Sequence, residues 1–284
     1  MERAMKKHLL PLIMLAVFPL QAAGIPPDAK TFALVVGISK YEKLPHDLWL
    51  QYPEADAKAL GRHFASPRGG AIPADQMLLL TNEQATTAAI RNAFQTFLKT
   101  RPGKDDTVYI LIAGHGTVDN SGAYILTYDS DPNNLAGTAI PMAELHTVVE
   151  QALLKVGHVI LLADVCRAAT IAGQKTTALG GVVAEIGEAP GELLGLMAAR
   201  PKELSLEGPE FGGGHGAFTW SVLRGLEGAA DSDHDGFVTA GELIDFVGTD
   251  VPKLTHDKQH LRDFGNMEDS TKLADLSKPG IALQ

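Results

Sequence analysis

From Thr31 onward the chain alternates short apolar runs with amphipathic stretches, and this alternation limits its folding more than any other feature. A strand that is apolar throughout must be covered on both faces, which happens in parallel sheets flanked by crossover helices. The runs 32–38 (FALVVGI), 76–80 (QMLLL), 107–113 (TVYILIA), 156–163 (VGHVILLA) and 192–199 (ELLGLMAA) read as five such strands. Between them a helix is expected from near Glu54 to Phe64. A second spans 84–98, where Ala88, Ile90, Phe94, Phe97 and Leu98 recur at helical spacing. A third spans 141–154 with Pro141 in its first turn, and further helices cover 217–228 and 241–247. Residues 124–127 read as a short extended piece leading into a turn at 128–134. The Gly-, Ala- and Thr-rich segment 168–181 reads as an exposed loop, and the stretch from about Pro252 carries little pattern. The expected fold is therefore α/β with a mainly parallel central sheet, and 45% hydrophobic residues in a chain of 284 suffice for its core.

Arg3, Lys6 and Lys7 precede an unbroken apolar run from Leu9 to Leu20, which is followed by Gln21, Ala22, Ala23 and Gly24. This charged, apolar and small-residue order is that of a secretory signal peptide, and the run falls short of the roughly 20 residues that a spanning helix needs. The expectation is export to a periplasmic or extracellular space with residues 1–24 removed and no integral membrane span; the competing reading is an uncleaved N-terminal anchor. The remaining chain carries 21 basic against 33 acidic residues, a net charge of −12. Such a charge repels a phosphate backbone and argues against nucleic-acid partners, whereas cations and cationic peptides fit it.

Export implies an oxidising compartment, yet the chain has one cysteine, which has no disulfide partner within the chain. Cys166 (in DVCR) and His115 (in AGHG) each follow the end of an expected buried strand, the edge of an open α/β sheet where working groups gather. A thiol becomes a good nucleophile once a base takes its proton, and an imidazole can remove that proton and return it to a leaving amine. Glycines on both sides of His115 allow close backbone approach, and the N–H groups of Gly116 and Cys166 could hold a developing oxyanion. Taken singly, a lone cysteine is more often a small buried hydrophobe and a loop histidine a solvated one. The conjunction at two strand ends favours catalysis. His158, inside a strand, and His63, on a helix, are weaker candidates, as are His46, His146, His256 and His260.

These residues resemble the caspase-like cysteine peptidases of family C14, and more closely their metacaspase-type and bacterial members. VVGISKY, the EADA helix start, LLLTN, AGHG, LLADVCR and GGGHGAFTWSVLRGL fall in the order of that family, and a histidine about 50 residues before the cysteine is part of the caspase pattern. The resemblance implies a caspase–hemoglobinase-like α/β/α sandwich over about 30–230 and peptide-bond hydrolysis by a Cys166–His115 dyad. Caspases proper hold an aspartate side chain with arginines and the Gln of a Gln-Ala-Cys motif. Here no arginine lies between Gly37 and Ala59, and Asp164 stands at the place of that Gln. Metacaspase-type enzymes instead carry an aspartate two residues before the cysteine and another where the first helix starts, and Asp164 and Asp56 match these. Two carboxylates in one pocket imply cleavage after Arg or Lys. The plainer readings are a surface residue in a first turn for Asp56 and a turn cap for Asp164. Ala168 stands where the caspase pattern has Gly. Self-processing in the loop after Cys166 would fall at Lys175, Arg167 being too close to the nucleophile.

Residues 231–242 (DSDHDGFVTAGE) fit the twelve-residue calcium loop of an EF-hand at every position. Asp231, Asp233 and Asp235 would supply side-chain oxygens, Phe237 a carbonyl, Thr239 an oxygen directly or through water, and Glu242 two oxygens, while Gly236 permits the turn. Helical patterns on both sides place the loop in a helix-loop-helix region over 217–250, ahead of the tail 251–284; otherwise it is an acidic Asx-turn loop that binds no calcium. The leading expectation is an exported, calcium-binding cysteine endopeptidase acting on peptides or proteins with basic residues. The alternative is a catalytically silent caspase-like scaffold stabilised by calcium.

Overall fold

The computed structural model describes residues 29–167, 191–200 and 203–283. The expected signal peptide, 1–24, and Lys175 lie outside the described residues.

The chain begins with strand β1 (Thr31–Gly37) and helix α1 (Pro53–Ala65), then β2 (Met77–Thr81) and α2 (Thr87–Asn92), which continues as a π-helical turn to Leu98. Strand β3 (Thr107–Val118) turns back into the short β4 (Ala123–Ile125). The one-turn α3 (Leu135–Thr138) and β5 (Ile140–Pro141) lead into α4 (Met142–Leu153) and β6 (His158–Arg167). Strand β7 (Glu192–Met197) is followed by the small hairpin of β8 (Glu207–Gly208) and β9 (His215–Gly216). Helix α5 (Ala217–Arg224) runs into a π-helical turn over Gly225–Ala229, and β10 (Phe237–Thr239) precedes α6 (Ala240–Leu254). Strands β11 (Arg262–Gly265) and β12 (Lys272–Asp275) complete the chain.

The main sheet has the order β11-β7-β6-β3-β1-β2, with β4 and β5 added at the end of β3; the pairs along this order are parallel except that of the edge strand β11, and β4 and β5 pair antiparallel. Side chains alternate between two cores. Phe32, Leu34, Val36 and Ile110 pack with Phe94, Leu145 and Val149 on the face of α2 and α4. Ala33, Val35, Leu111 and Leu162 pack with Leu60, Phe64, Phe218 and Val247 on the face of α1, α5 and α6. Each large side chain so buried contributes about 1.5–3 kcal/mol. The result is the expected α/β/α sandwich with a mainly parallel sheet. Among the described residues no helix is long and apolar enough to cross a membrane.

Two expected strand ends move. The third strand does not stop at the AGHG glycines, nor the fourth at Ala163: β3 runs to Val118 and β6 to Arg167, so His115 and Cys166 lie within paired strands rather than beyond them. Apolar residues mark only the part of a strand that helices cover. The polar continuations are held by the ladder between β3 and β6 and by β4 on Gly116–Val118. The weakly patterned C-terminal stretch also joins sheets, as β11 against β7 and β12 against β10.

Candidate active site

The adjacency of β3 and β6 sets the centre of the site. Their register pairs Ala113 with Asp164, His115 with Cys166 and Gly116 with Arg167, so each pair is separated by one inter-strand spacing of about 4.8 Å. His115 is buried and held at two points. Its backbone N–H donates to Tyr41 Oη (2.7 Å), and the Tyr41 hydroxyl donates to the Ile38 carbonyl (3.0 Å). Gly114 makes room for this bracket, because a Cβ there would lie 2.9 Å from Tyr41 Oη. At the ring, Nε2 lies 2.6 Å from the Leu48 carbonyl oxygen. A carbonyl only accepts, so Nε2 carries the hydrogen and Nδ1 carries the lone pair of the neutral ring. Nδ1 is buried with no hydrogen-bond partner among the described residues. Burial pushes the His115 pKa below the ordinary imidazole value, against the Leu48 bond, which raises it. The ring is thus kept as a neutral base whose basic nitrogen is uncommitted among the described residues.

Leu126 N–H donates to the His115 carbonyl. Gly116 consequently forms a non-hydrogen-bonded pair with Ile125, and its own N–H lies on the β6 side.

Beside the dyad positions an acidic cleft gathers residues from four elements. Asp56, in the first turn of α1, is only 2% exposed and accepts from His215 Nδ1 (2.7 Å) and from Gly216 N–H (3.1 Å). Asp164, on β6, accepts from Ser205 Oγ (2.5 Å) and Thr219 Oγ1 (2.7 Å). Asp56 is thus no surface residue, and Asp164 is a buried strand residue rather than a turn cap. Glu207 of β8 is a third carboxylate in the lining, and Leu50, Pro53 and Leu206 supply apolar wall. Gly216 forms the floor: a Cβ there would meet Asp164 Oδ2 at 2.6 Å and Asp56 Oδ2 at 3.2 Å. The cleft is half open, with a volume of about 20 Å³, on the scale of one water molecule. Burial pushes Asp56 up to about 7, with the His215 bond opposing and the Asp164 charge adding to the rise. Burial raises Asp164 and Glu207 as well.

Tyr41, Leu48, Ser205, Glu207 and His215 escaped the reading of the sequence. His215 alone had a signal, since GGGHG repeats the glycine-flanked setting of His115. Leu48 acts through its backbone, which side-chain identity does not announce.

At the far end of α5, side-chain oxygens of Asp231, Asp233 and Asp235 lie within 4.8 Å of one another, and Asp231 Oδ1 is buried without a partner among the described residues. Gly236 has φ +87°. Glu242 folds back to the start of the loop, where its carboxylate accepts from Ser232 N–H (2.8 Å), and caps α6 through Thr239 N–H (3.0 Å) and Thr239 Oγ1 (2.9 Å). Phe237, at the head of β10, pairs with Asp275 of β12. The donor set is oxygen-only, as calcium prefers.

In comparisons with known proteins, the caspase-domain model of peptidase family C14 matches residues 30–264. No curated protein matches the chain. The solved structure of protein GSU0716 from Geobacter sulfurreducens is similar with a TM-score of 0.60 and 17% identity, over 86% of this chain and 99% of that one. At that identity the likeness concerns the fold.

Proposed function

Because the chain belongs to the caspase-domain family of peptidases, with the family's domain spanning residues 30–264, we propose that it is a cysteine endopeptidase working through Cys166 and His115. The observation that carries this reading is the pairing of His115 with Cys166 across β3 and β6, with the imidazole tethered at Nε2 and unpartnered at Nδ1 among the described residues. The Cys166 thiol gives its proton to Nδ1 and the thiolate attacks the scissile carbonyl carbon. The N–H groups of Gly116 and Cys166, which lie along the β3–β6 ladder, would have to turn out of it to receive the oxyanion. Collapse breaks the C–N bond, and the leaving amine takes the proton from His115, so that an acyl-thioester remains. A water then gives a proton to the same nitrogen and attacks the thioester. The acid product leaves, and the proton returns to the sulfur. The Leu48 carbonyl holds the ring's orientation throughout and stabilises the transient imidazolium.

For the residue before the scissile bond we propose Arg or Lys. Asp56, Asp164 and Glu207 give the cleft an acidic lining, and a guanidinium or ammonium group, entering as the walls of this narrow cleft part, would convert their mutual repulsion into paired hydrogen bonds. Calcium is proposed at Asp231, Asp233, Asp235, the Phe237 carbonyl, Thr239 and Glu242, where it would screen three neighbouring carboxylates and tie the two ends of the loop. Export directed by residues 1–24 and processing at Lys175 complete the proposal.

Labelling with an Arg-ending chloromethyl ketone tests the reading. Wild type is expected to be labelled and Cys166→Ala not; an unlabelled, folded wild type would instead support the catalytically silent scaffold.

A further inference from the structure

One histidine at the edge of the cleft takes no part in the proposed dyad. His215 lies on β9 with its side chain 12% exposed, its ring stacked on Trp220 (centroids 5.5 Å apart, planes at 10°) and its Nδ1 2.7 Å from Asp56 Oδ1. The contact joins residues 159 positions apart in sequence. His215 also lines a separate open groove of about 500 Å³ with Lys58, Arg62, Trp220 and Ile281. It therefore stands between the acidic cleft and that groove.

Asp56 and Asp164 face the same point above Gly216. Two buried carboxylates at one site do not both ionise freely, and the one that ionises is the one with the better partner. Asp164 has two hydroxyl donors, Ser205 and Thr219, which are uncharged and can turn to serve either protonation state. Asp56 has a backbone N–H and the imidazole, a donor that can also take up charge.

We propose that His215 is the positioning residue that holds Asp56 ionised and oriented in the cleft, and so sets the affinity of the peptidase for a basic side chain. This rests on the proposed reading of the cleft as the pocket for Arg or Lys. With one proton on the pair, the ring donates from Nδ1 and Asp56 Oδ2 faces the cleft as a carboxylate. Protonation of Asp56 within the pair removes one negative charge from the pocket. The charged groups around it are Asp164 from β6, Glu207 from β8, and Lys58 and Arg62 from α1 on the groove side, with the Lys58 amine already bonded to Glu54. Affinity for a basic substrate thus rises with pH through the titration of the pair, while turnover follows the separate titration of His115.

The test measures kcat and KM for an Arg-ending fluorogenic peptide across about pH 5.5–9 in wild type, His215→Ala, His215→Asn and Asp56→Asn, each checked for folding by thermal melting. In wild type KM falls as pH rises. In His215→Ala the fall moves to higher pH by about one unit or more, which raises KM about fivefold at the original midpoint and about tenfold well below it, and the pH profile of kcat stays in place. His215→Asn, whose amide stands in for Nδ1–H, recovers part of the shift; this guards against a mere folding effect. A KM profile in His215→Ala that coincides with wild type, or one that moves together with kcat, overturns the role of His215. If Asp56→Asn leaves KM unchanged, the reading of the cleft itself fails, and if wild type does not cut after Arg at all, both fail together.

Discussion

His115 and Cys166 are register partners on neighbouring parallel strands, and the His115 imidazole is tied through Nε2 to the Leu48 carbonyl at 2.6 Å. A proposed dyad placed by a ladder differs from one placed by two loops. Ten consecutive residue pairs join β3 and β6, so moving one partner past the other would break the whole ladder. Positions on such elements are held more tightly than positions on loops. In the proposed mechanism, this rigidity keeps the base within reach of the nucleophile.

Replacement of either member of the proposed dyad is expected to abolish most turnover. Cys166→Ala and His115→Ala should each lower kcat/KM for an Arg-ending peptide by about 10³-fold or more, and the double variant should be little worse than either, because residues acting as a unit are not additive. A fluorogenic assay reads this directly. Activity retained in Cys166→Ala would exclude the nucleophile assigned here.

Tyr41→Phe removes the acceptor for the buried His115 N–H and the donor to the Ile38 carbonyl. Leaving a buried amide unpaired costs about 1–3 kcal/mol, so denaturant unfolding should shift by that amount. With the histidine backbone less firmly held, kcat should fall severalfold while KM for the same peptide changes little. Unchanged stability and kcat would show that the bracket does not matter.

The acidic cleft makes stability depend on pH. Burial raises Asp56 from 3.8 to about 7, and Asp164 is raised for the same reason. Between about pH 4 and 7 the folded state therefore keeps protons that the unfolded chain has released, and stability is lost as pH rises through that window. Asp164→Asn removes one carboxylate from the cleft, while Ser205 and Thr219 can reorient towards the amide. Its melting temperature relative to wild type should become more favourable between pH 4 and pH 8, at about 2–4 °C per kcal/mol for a domain near this size, while KM for Arg substrates rises. A pH-independent difference between the two proteins would count against the assigned burden on the cleft.

Calcium should stabilise the fold through its loop. For a site of Kd about 10⁻⁴ M, a concentration of about 10 mM calcium contributes roughly 2.7 kcal/mol, or about 5–10 °C in melting temperature. Asp231→Ala, which removes the oxygen that lacks a partner among the described residues, should abolish the shift. Calorimetry with no heat on calcium addition, together with equal melting curves, would rule the site out.

Local pattern announces burial. The five apolar runs became β1, β2, β3, β6 and β7 because a strand covered on both faces has no polar side, and that condition is written in consecutive residues. The spacing of Asp231, Asp233 and Asp235 likewise brings their oxygens together, because one short loop contains them all. The single cysteine and the glycine-flanked histidine stood out by type alone. Tertiary structure decided what lies beside what. Only the strand order puts β3 next to β6 and continues both strands past their apolar stretches to pair His115 with Cys166. Only the packing of α1, β6, β8 and β9 around one floor glycine gathers Asp56, Asp164 and Glu207 into a cleft and sets His215 against Asp56 at its edge. The weakly patterned end of the chain became β11 and β12 for the same reason: partners from distant segments supply the missing hydrogen bonds. Periodicity records that a residue is to be buried, and the choice of neighbour is made by contacts between segments far apart in the chain.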